Sequence, residues 1–150
     1  MRAVVDADVF VSAVLTPGGP PGRVVRALAN GQFDLVISEP IIRDVADVLA
    51  RPRITRKYRI PAARIEDVVT LMRDRGVLVP VTGTIRICRD PDDDLVLETA
   101  LAGGAEALVS RDADVTRDPA LIAALRERGV AVLTVQQFLA ALEAEAFERA

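Results

Sequence analysis

The sequence has 150 residues, is 51% hydrophobic and carries a formal net charge of −3. These values fit one domain, residues 1–150, with a single buried core, and they argue against a protein that coats nucleic acid by bulk attraction. Histidine is absent and Cys88 is the one cysteine, which excludes an imidazole base and an intrachain disulfide. Because no apolar run approaches the roughly 20 residues that span a bilayer, and no charged and apolar leader opens the chain, we expect a cytoplasmic protein without membrane contact.

Short apolar runs rich in β-branched residues alternate along the chain with longer segments of helical periodicity. The short runs lack the in-out alternation of a half-exposed sheet, so they predict buried parallel strands. Strands are expected at residues 3–5, 35–37, 77–79, 107–109 and 131–133, and helices at residues 22–30, 40–50, 62–75, 91–102, 119–128 and 136–148. This order predicts an α/β, Rossmann-like fold, a single three-layer domain with a central parallel sheet of about five strands flanked by helices.

Four aspartates stand where a predicted strand ends or a predicted helix begins. Asp6 and Asp112 follow strands, while Asp44 and Asp93 share the apolar faces of their helices and are expected to point inward. Ligands of an open parallel sheet bind beyond the carboxyl ends of its strands, so we expect all four aspartates at that edge. Two like charges about 4 Å apart repel by about 4 kcal/mol at an effective dielectric of ~20. Such a cluster needs raised pKa values or a cation, and oxygen ligands favour Mg²⁺ or Mn²⁺ over zinc.

Other aspartates have a simpler interpretation as helix caps and turn residues. This group comprises Asp90, Asp92 and Asp118.

A basic segment without acidic residues spans residues 51–64, and Tyr58 within it offers a ring for stacking on a base. Two interpretations stay open: a docking site for RNA phosphates, or a solvated loop whose charges maintain solubility. The candidate RNA-binding residues are Arg51, Arg53, Arg56, Lys57 and Arg59. Two further cations beside the aspartates are candidates for phosphate contact or for salt bridges in the site, Arg43 and Arg111.

Four stretches that contain these aspartates, residues 4–12, 38–44, 89–94 and 108–114, resemble in sequence and order the motifs of the PIN-domain family. The resemblance is strongest to the bacterial and archaeal (VapC-like) toxin components of toxin–antitoxin pairs. It implies a PIN-like fold and a Mg²⁺- or Mn²⁺-dependent ribonuclease that hydrolyses RNA phosphodiesters with an aspartate-bound metal and an activated water. It also implies a cognate antitoxin as protein partner and a homodimer.

The resemblance assigns roles to particular residues of this chain. The catalytic residues and metal ligands would be Asp6, Asp44, Asp93 and Asp112, and the auxiliary residues would be Asp8, Ser12, Ser110 and Asp114. The two serine hydroxyls would orient the ligand aspartates. The family commonly has asparagine where Asp8 stands and glutamate where Asp44 stands. The shorter side chain draws the Asp44 carboxylate back by about 1.5 Å, so we expect Asp44 to bind metal through water.

Two alternatives remain open from the sequence. The Asp6 and Asp8 pair after an apolar strand is also similar to the nucleophile motif of haloacid-dehalogenase-type phosphatases, with Asp6 as nucleophile. Those enzymes need a lysine and acidic residues after the serine motif, whereas Lys57 and Asp93 both precede Ser110. The second alternative is a non-catalytic PIN-like module that binds RNA or a protein. Asp8 and Asp44 suggest it, because they differ from the residues that are common in the family at these positions.

Overall fold

The computed structural model describes residues 1–88 and 90–149, so that Arg89, from the third of the four stretches above, lies outside the described residues. The strands are β1 (Arg2–Val5), β2 (Asp34–Ile37), β3 (Gly76–Leu78), β4 (Ala107–Val109) and β5 (Ala131–Leu133). The helices are α1 (Ala7–Leu15), α2 (Pro20–Ala29), α3 (Glu39–Leu49), α4 (Pro52–Tyr58), α5 (Ala62–Arg75), α6 (Pro91–Ala102), α7 (Ala113–Thr116), α8 (Pro119–Glu127) and α9 (Val135–Arg149).

All neighbouring strands of the sheet run parallel, in the order β3-β2-β1-β4-β5. In the central strand, Val4 lies opposite Val36 of β2 on one side and Leu108 of β4 on the other. In chain order, β2 and β3 lie on one side of β1, and β4 and β5 lie on the other side. The change of side creates a topological switch point between β1 and β4. The predicted α/β fold with a five-stranded parallel sheet is confirmed.

The core is centred on the three inner strands, whose apolar residues in β1, β2 and β4 are fully or almost fully buried. The prediction of five buried strands is wrong for both edge strands, β3 and β5. In β5, Ala131 is exposed and Val132 and Leu133 are half-buried. Val77 and Leu78 are 49% and 52% exposed, because β3 pairs with β2 alone and forms an edge of the sheet. An apolar run without alternation indicates a strand but carries no information on its place in the sheet.

Three helices depart from the sequence prediction. The helix α1 was not predicted, because its apolar residues follow β1 closely and are rich in β-branched types that favour strands. The helix α4 replaces the loop that was one interpretation of the basic segment, and the short helix α7 follows Asp112. All three lie between predicted strands, so they leave the sheet order unchanged.

The C-terminal helix α9 packs against the core through its first half. Phe138 is fully buried and meets Phe33 edge to face, with ring centroids 5.0 Å apart. Near the other end of the helix, Phe147 is 85% exposed. Within residues 1–88 and 90–149, no helix combines the length and the apolar character needed to cross a membrane.

The contact between α6 and β2 is close because Gly103, which follows α6, has no side chain. A Cβ atom at this position would lie 2.1 Å from Val36 Cγ1, and Val36 is fully buried. We therefore expect Gly103→Ala to lower the free energy of unfolding by about 1–3 kcal/mol, the usual cost of overpacking a core, measured by urea denaturation.

The control is Gly18→Ala, where an added Cβ meets no atom within 4 Å and where little change is expected. In a double-mutant cycle, Val36→Ala should remove most of the effect of Gly103→Ala. Additive effects of the two substitutions would show that the Gly103–Val36 contact is not the cause.

Candidate metal-binding cleft

The four aspartates singled out in the sequence line one cleft of about 370 Å³. Asp6 follows β1 and Asp112 comes three residues after the adjacent parallel strand β4 ends at Val109, while Asp44 belongs to α3 and Asp93 to α6. Parallel neighbouring strands end at the same edge of a sheet, which is why residues distant in sequence meet there. The cleft lies at the carboxyl ends of the paired strands β1 and β4, at the switch point of the fold.

Further carboxylates line the same cleft, and the sequence had indicated few of them. Among the described residues, Arg43 is the one cation in the lining. Asp47 lies three residues after Asp44, so the i, i+3 spacing along α3 was the signal that could have found it. The additional acidic lining residues are Asp8, Asp47, Asp90 and Asp92.

Both oxygens of the Asp6 carboxylate have hydrogen-bond donors. The backbone N–H of Ala7 donates to Oδ1 at 2.8 Å, so Asp6 caps α1, and the Ser110 hydroxyl donates to Oδ2 at 3.1 Å. The Ser110 hydroxyl in turn accepts from the backbone N–H of Asp112 at 3.0 Å. Because Ser110 is fully buried, this relay fixes Asp6 relative to the segment that carries Asp112.

Aspartates on both sides of the cleft have raised pKa values. Burial, with a contribution from the charge of Asp8, raises the pKa of Asp6 to about 7. Burial, followed by the charge of Asp112, raises the pKa of Asp93 to about 6. The pKa of Asp44 is also raised, mainly by partial burial and by the charge of Asp92. Near neutral pH the cleft therefore takes up either protons or a cation.

Among the described residues, one buried carboxylate oxygen of the cleft has no hydrogen-bond partner. Asp8 Oδ1 is buried and forms no hydrogen bond within the described residues, and burial raises the pKa of Asp8 although Arg111 opposes the shift. Such a buried oxygen calls for a water molecule or an ion. In the part of the chain that the structure describes, no group of three or more carboxylates is placed to hold a metal ion as it stands. The all-oxygen donors and the excess of negative charge fit a hard divalent cation.

The structure corrects two expectations about individual side chains. Asp44 does not point inward: it is exposed, because the buried stripe of α3 consists of Ile41, Ile42, Val45 and Leu49 and Asp44 lies beside it. Among the described residues, Ser12 forms no hydrogen bond with an aspartate of the cleft; its hydroxyl accepts a hydrogen bond from Arg111. The spacing of the apolar residues alone did not show whether Asp44 lies at the centre or at the margin of the apolar stripe of α3.

The last auxiliary candidate, Asp114, is exposed in the short helix α7 and does not line the cleft. Its backbone N–H donates to Asp112 Oδ1 at 2.9 Å, and its negative charge is one of those that raise the pKa of Asp93. Asp112 therefore both caps α7 and lines the cleft.

The basic residues of α4 are exposed and lie outside the cleft lining. The helix packs beside α3, and the charge of Arg51 partly opposes the raised pKa of Asp44. Lys57 Nζ lies 5.4 Å from the centroid of the Tyr58 ring, within cation–π distance. The structure thus sets a basic helix next to the helix that carries Asp44. The exposed candidate RNA-binding residues are Arg51, Arg53, Arg56, Lys57 and Arg59.

An open parallel sheet with a carboxylate-lined cleft at its switch point defines the class, an α/β domain with an acidic candidate site. The family model described as PIN domain matches residues 2–114. The chain belongs to the PIN-domain family.

Two similar proteins place the chain among known sequences and structures. An uncharacterised protein of Methanocaldococcus jannaschii, MJ1680, is 25% identical over 114 residues, which cover 76% of this chain and 72% of that protein. The crystal structure of VapBC2 from Rickettsia felis, bound to a DNA fragment from their promoter, contains a similar chain. The two chains superpose with a TM-score of 0.55 and 13% identity, over 89% of this chain and 98% of the other. This likeness shows a shared fold.

The raised pKa of Asp6 predicts a pH-dependent gain in stability for Asp6→Asn in the metal-free protein. A carboxyl group whose pKa is higher in the folded state stabilises the fold at low pH, and this contribution is lost as the pH rises from about 4 to about 7. We expect Asp6→Asn to raise the free energy of unfolding at pH 8 by about 2 kcal/mol more than at pH 5, since one pKa unit corresponds to about 1.4 kcal/mol.

Urea denaturation in the presence of EDTA at the two pH values measures this difference. Asp118→Asn is the matched control, because Asp118 caps α8 outside the cleft and asparagine is an equally good cap. An equal effect of Asp6→Asn at both pH values would contradict the raised pKa.

Proposed function

We propose that this PIN domain is a Mg²⁺- or Mn²⁺-dependent endoribonuclease and the toxin component of a toxin–antitoxin pair. The observation that carries the proposal is the convergence of Asp6, Asp44, Asp93 and Asp112, from four separate segments, on one cleft. The raised pKa values there support it, because such groups concentrate at functional sites. Family membership separates the chain from the phosphatase alternative.

In this proposal Asp6, Asp93 and Asp112 hold the metal directly, and Asp44 binds it through water. When bound, the cation supplies Lewis-acid stabilisation of the phosphodiester and an activated water. Ser110 holds Asp6 in place through the hydrogen bond to Oδ2. The unpartnered Oδ1 of Asp8 is an additional oxygen beside this set.

The proposed hydrolysis needs no nucleophilic side chain. Burial, followed by the neighbouring Asp94 carboxylate, raises the pKa of the Cys88 thiol to about 12, so the reactive thiolate is scarce at neutral pH. The carboxylates of the cleft serve to bind metal and to exchange protons with water.

Phosphate binding is assigned to two groups of basic side chains, one in the lining of the cleft and one in and beside helix α4. Arg43 lines the cleft and forms no salt bridge with any residue in the described ranges, so its guanidinium is available for the phosphate that is cleaved. The basic residues within α4 and at its two ends, which would hold neighbouring phosphates of the RNA, are Arg51, Arg53, Arg56, Lys57 and Arg59. Tyr58, 41% exposed, would stack on a base.

The toxin role includes a cognate antitoxin protein, a homodimer and a cytoplasmic location. The sequence motifs support this role, as does the fold shared with a chain of the Rickettsia felis VapBC2 structure, which was solved with promoter DNA. The RNA substrate and the antitoxin partner are separate parts of the proposal. Hydrolysis of RNA can be tested on the isolated chain, in the absence of an antitoxin.

The nuclease proposal predicts cleavage of a mixed RNA pool with Mn²⁺ or Mg²⁺ and its loss in EDTA. Asp6→Asn should lower the rate at least about a hundredfold, since it removes a charged metal ligand, while Asp118→Asn should cleave like the wild type. Gel electrophoresis of end-labelled RNA measures both rates. Cleavage that survives EDTA and Asp6→Asn would refute a metal-dependent site, and binding without cleavage under any condition would favour the non-catalytic module.

The position of Arg43 predicts a defect in substrate binding without a defect in metal binding. We expect Arg43→Gln to raise KM by about ten- to a hundredfold, because a charged hydrogen bond to phosphate contributes about 1.5–3 kcal/mol. Mn²⁺ affinity, measured by isothermal titration calorimetry, should stay equal or increase, since a nearby positive charge is removed. Arg128→Gln, at an exposed position after α8, is the control. A weaker Mn²⁺ affinity with unchanged KM would contradict the assigned role.

A further inference from the structure

Two buried carboxylates of α6 face away from the acidic cleft and have no part in the proposed reaction. Asp94 is 4% exposed and Glu98 is 8% exposed, and neither lines the cleft. They lie four residues apart and therefore on one face of the helix. Buried charges of this kind require compensation by donors or cations.

The donors come from the connection between β3 and α6. Glu98 Oε1 accepts hydrogen bonds from the Thr82 hydroxyl at 3.1 Å and from the Gly83 N–H at 3.0 Å, and Oε2 accepts from the Thr82 N–H. Burial opposes ionisation of Glu98, but these donors outweigh it, so its pKa lies below the ordinary value. Glu98 thus fixes the start of the segment 82–88.

Asp94 fixes the other end of the same segment. The N–H groups of Ile87 and Cys88 donate to Asp94 Oδ1 at 2.9 and 2.8 Å. Because residues 82–83 meet Glu98 and residues 87–88 meet Asp94, segment 82–88 runs beside α6 in the opposite direction to the helix. Inside the segment, Arg86 donates to the carbonyl of Gly83 at 2.6 Å, which ties the turn together.

Hydrogen bonds from backbone N–H groups fix direction more strictly than a flexible ion pair does. No salt bridge between described residues includes Asp94 or Glu98, so their compensation depends on the course of segment 82–88. Hydrogen bonds to a charged group are stronger than hydrogen bonds between neutral groups. The segment and the first two turns of α6 are therefore held in one relative orientation.

We propose that Asp94 and Glu98 are positioning residues that anchor segment 82–88 to α6 and thereby direct the first turn of this helix, with Asp93, into the cleft. Asp93 and Asp94 are consecutive, about 100° apart around the helix axis, so a fixed Asp94 also fixes the direction of Asp93. The inference about orientation concerns the fold of the chain, and its consequence for metal affinity rests on the proposed function.

The test compares Glu98→Gln with Glu106→Gln, a matched change at an exposed carboxylate that also accepts a backbone N–H, from Arg2 at 3.3 Å. Residual dipolar couplings of the Asp92 and Asp93 N–H groups, measured without metal, report the direction of the first turn of α6. Glu98→Gln should change these couplings and speed hydrogen exchange of Gly83 about tenfold or more, because an amide oxygen accepts more weakly than a carboxylate. Glu106→Gln should leave both measurements as in the wild type.

The second measurement is the affinity for Mn²⁺ alone, by isothermal titration calorimetry at a temperature where each variant is folded. Glu98→Gln should weaken Mn²⁺ binding about five- to tenfold although residue 98 does not touch the cleft, whereas Glu106→Gln should not. Thr82→Val is a milder variant in case Glu98→Gln does not fold, because it removes a single hydroxyl donor at an exposed position. Thr82→Val should alter the couplings, the hydrogen exchange of Gly83 and the Mn²⁺ affinity in the same directions as Glu98→Gln, but by smaller amounts.

The outcomes separate this inference from the proposed function. Unchanged couplings at Asp92 and Asp93 in a folded variant overturn the positioning role, whatever the metal affinity. Changed couplings with unaltered Mn²⁺ affinity also overturn it, since the direction of the first turn of α6 would then have no effect on the cleft. A wild-type protein that binds no Mn²⁺ contradicts the metal-dependent function instead, while the couplings, measured without metal, still decide whether the anchor orients α6.

Discussion

Repulsion among carboxylates at the carboxyl edge of the sheet is the constraint on which the rest of the site depends. The parallel pairing of β1 with β4 brings the segments of Asp6 and Asp112 to one edge, and α3 and α6 add their aspartates from the sides. Burial, followed by repulsion from neighbouring carboxylates, raises the pKa of Asp6 to about 7 and that of Asp93 to about 6. In the proposed function, a divalent cation would relieve this repulsion, which would be the usual trade of stability for function.

The fold tolerates this repulsion because the surrounding structure holds the aspartate side chains in place. Ser110 joins Asp6 to the segment of Asp112 through two hydrogen bonds. On the far side of α6, backbone N–H groups compensate the charges of Asp94 and Glu98. The hydrogen bonds of Ser110 orient the Asp6 carboxylate. The hydrogen bonds to Asp94 and Glu98 hold helix α6, which carries Asp93. Both depend on rigid connections to the core and not on counter-charges.

The secondary structure followed from local signals where an element is punctuated and its packing is ordinary. Residues 62–75, 91–102, 107–109 and 131–133 have the same bounds in the prediction and in the structure, because proline, glycine and changes of hydrophobic period mark their ends. The helix α1 escaped prediction, since its residues are apolar around most of the helix and resemble a strand. The exposure of β3 was also missed, because strand order is set by long-range pairing.

The sequence by itself determined the fold class, the family motifs and the four aspartates that meet in the cleft, because these depend on residue type and on position relative to the ends of strands and helices. Only the tertiary structure decided that Asp47, Asp90 and Asp92 join the lining, that Asp44 is exposed, and that Ser12 contacts Arg111. It also assigned the buried Asp94 and Glu98 to segment 82–88. The physical reason is that burial and hydrogen-bond partners arise from contacts between distant segments, which local spacing does not specify.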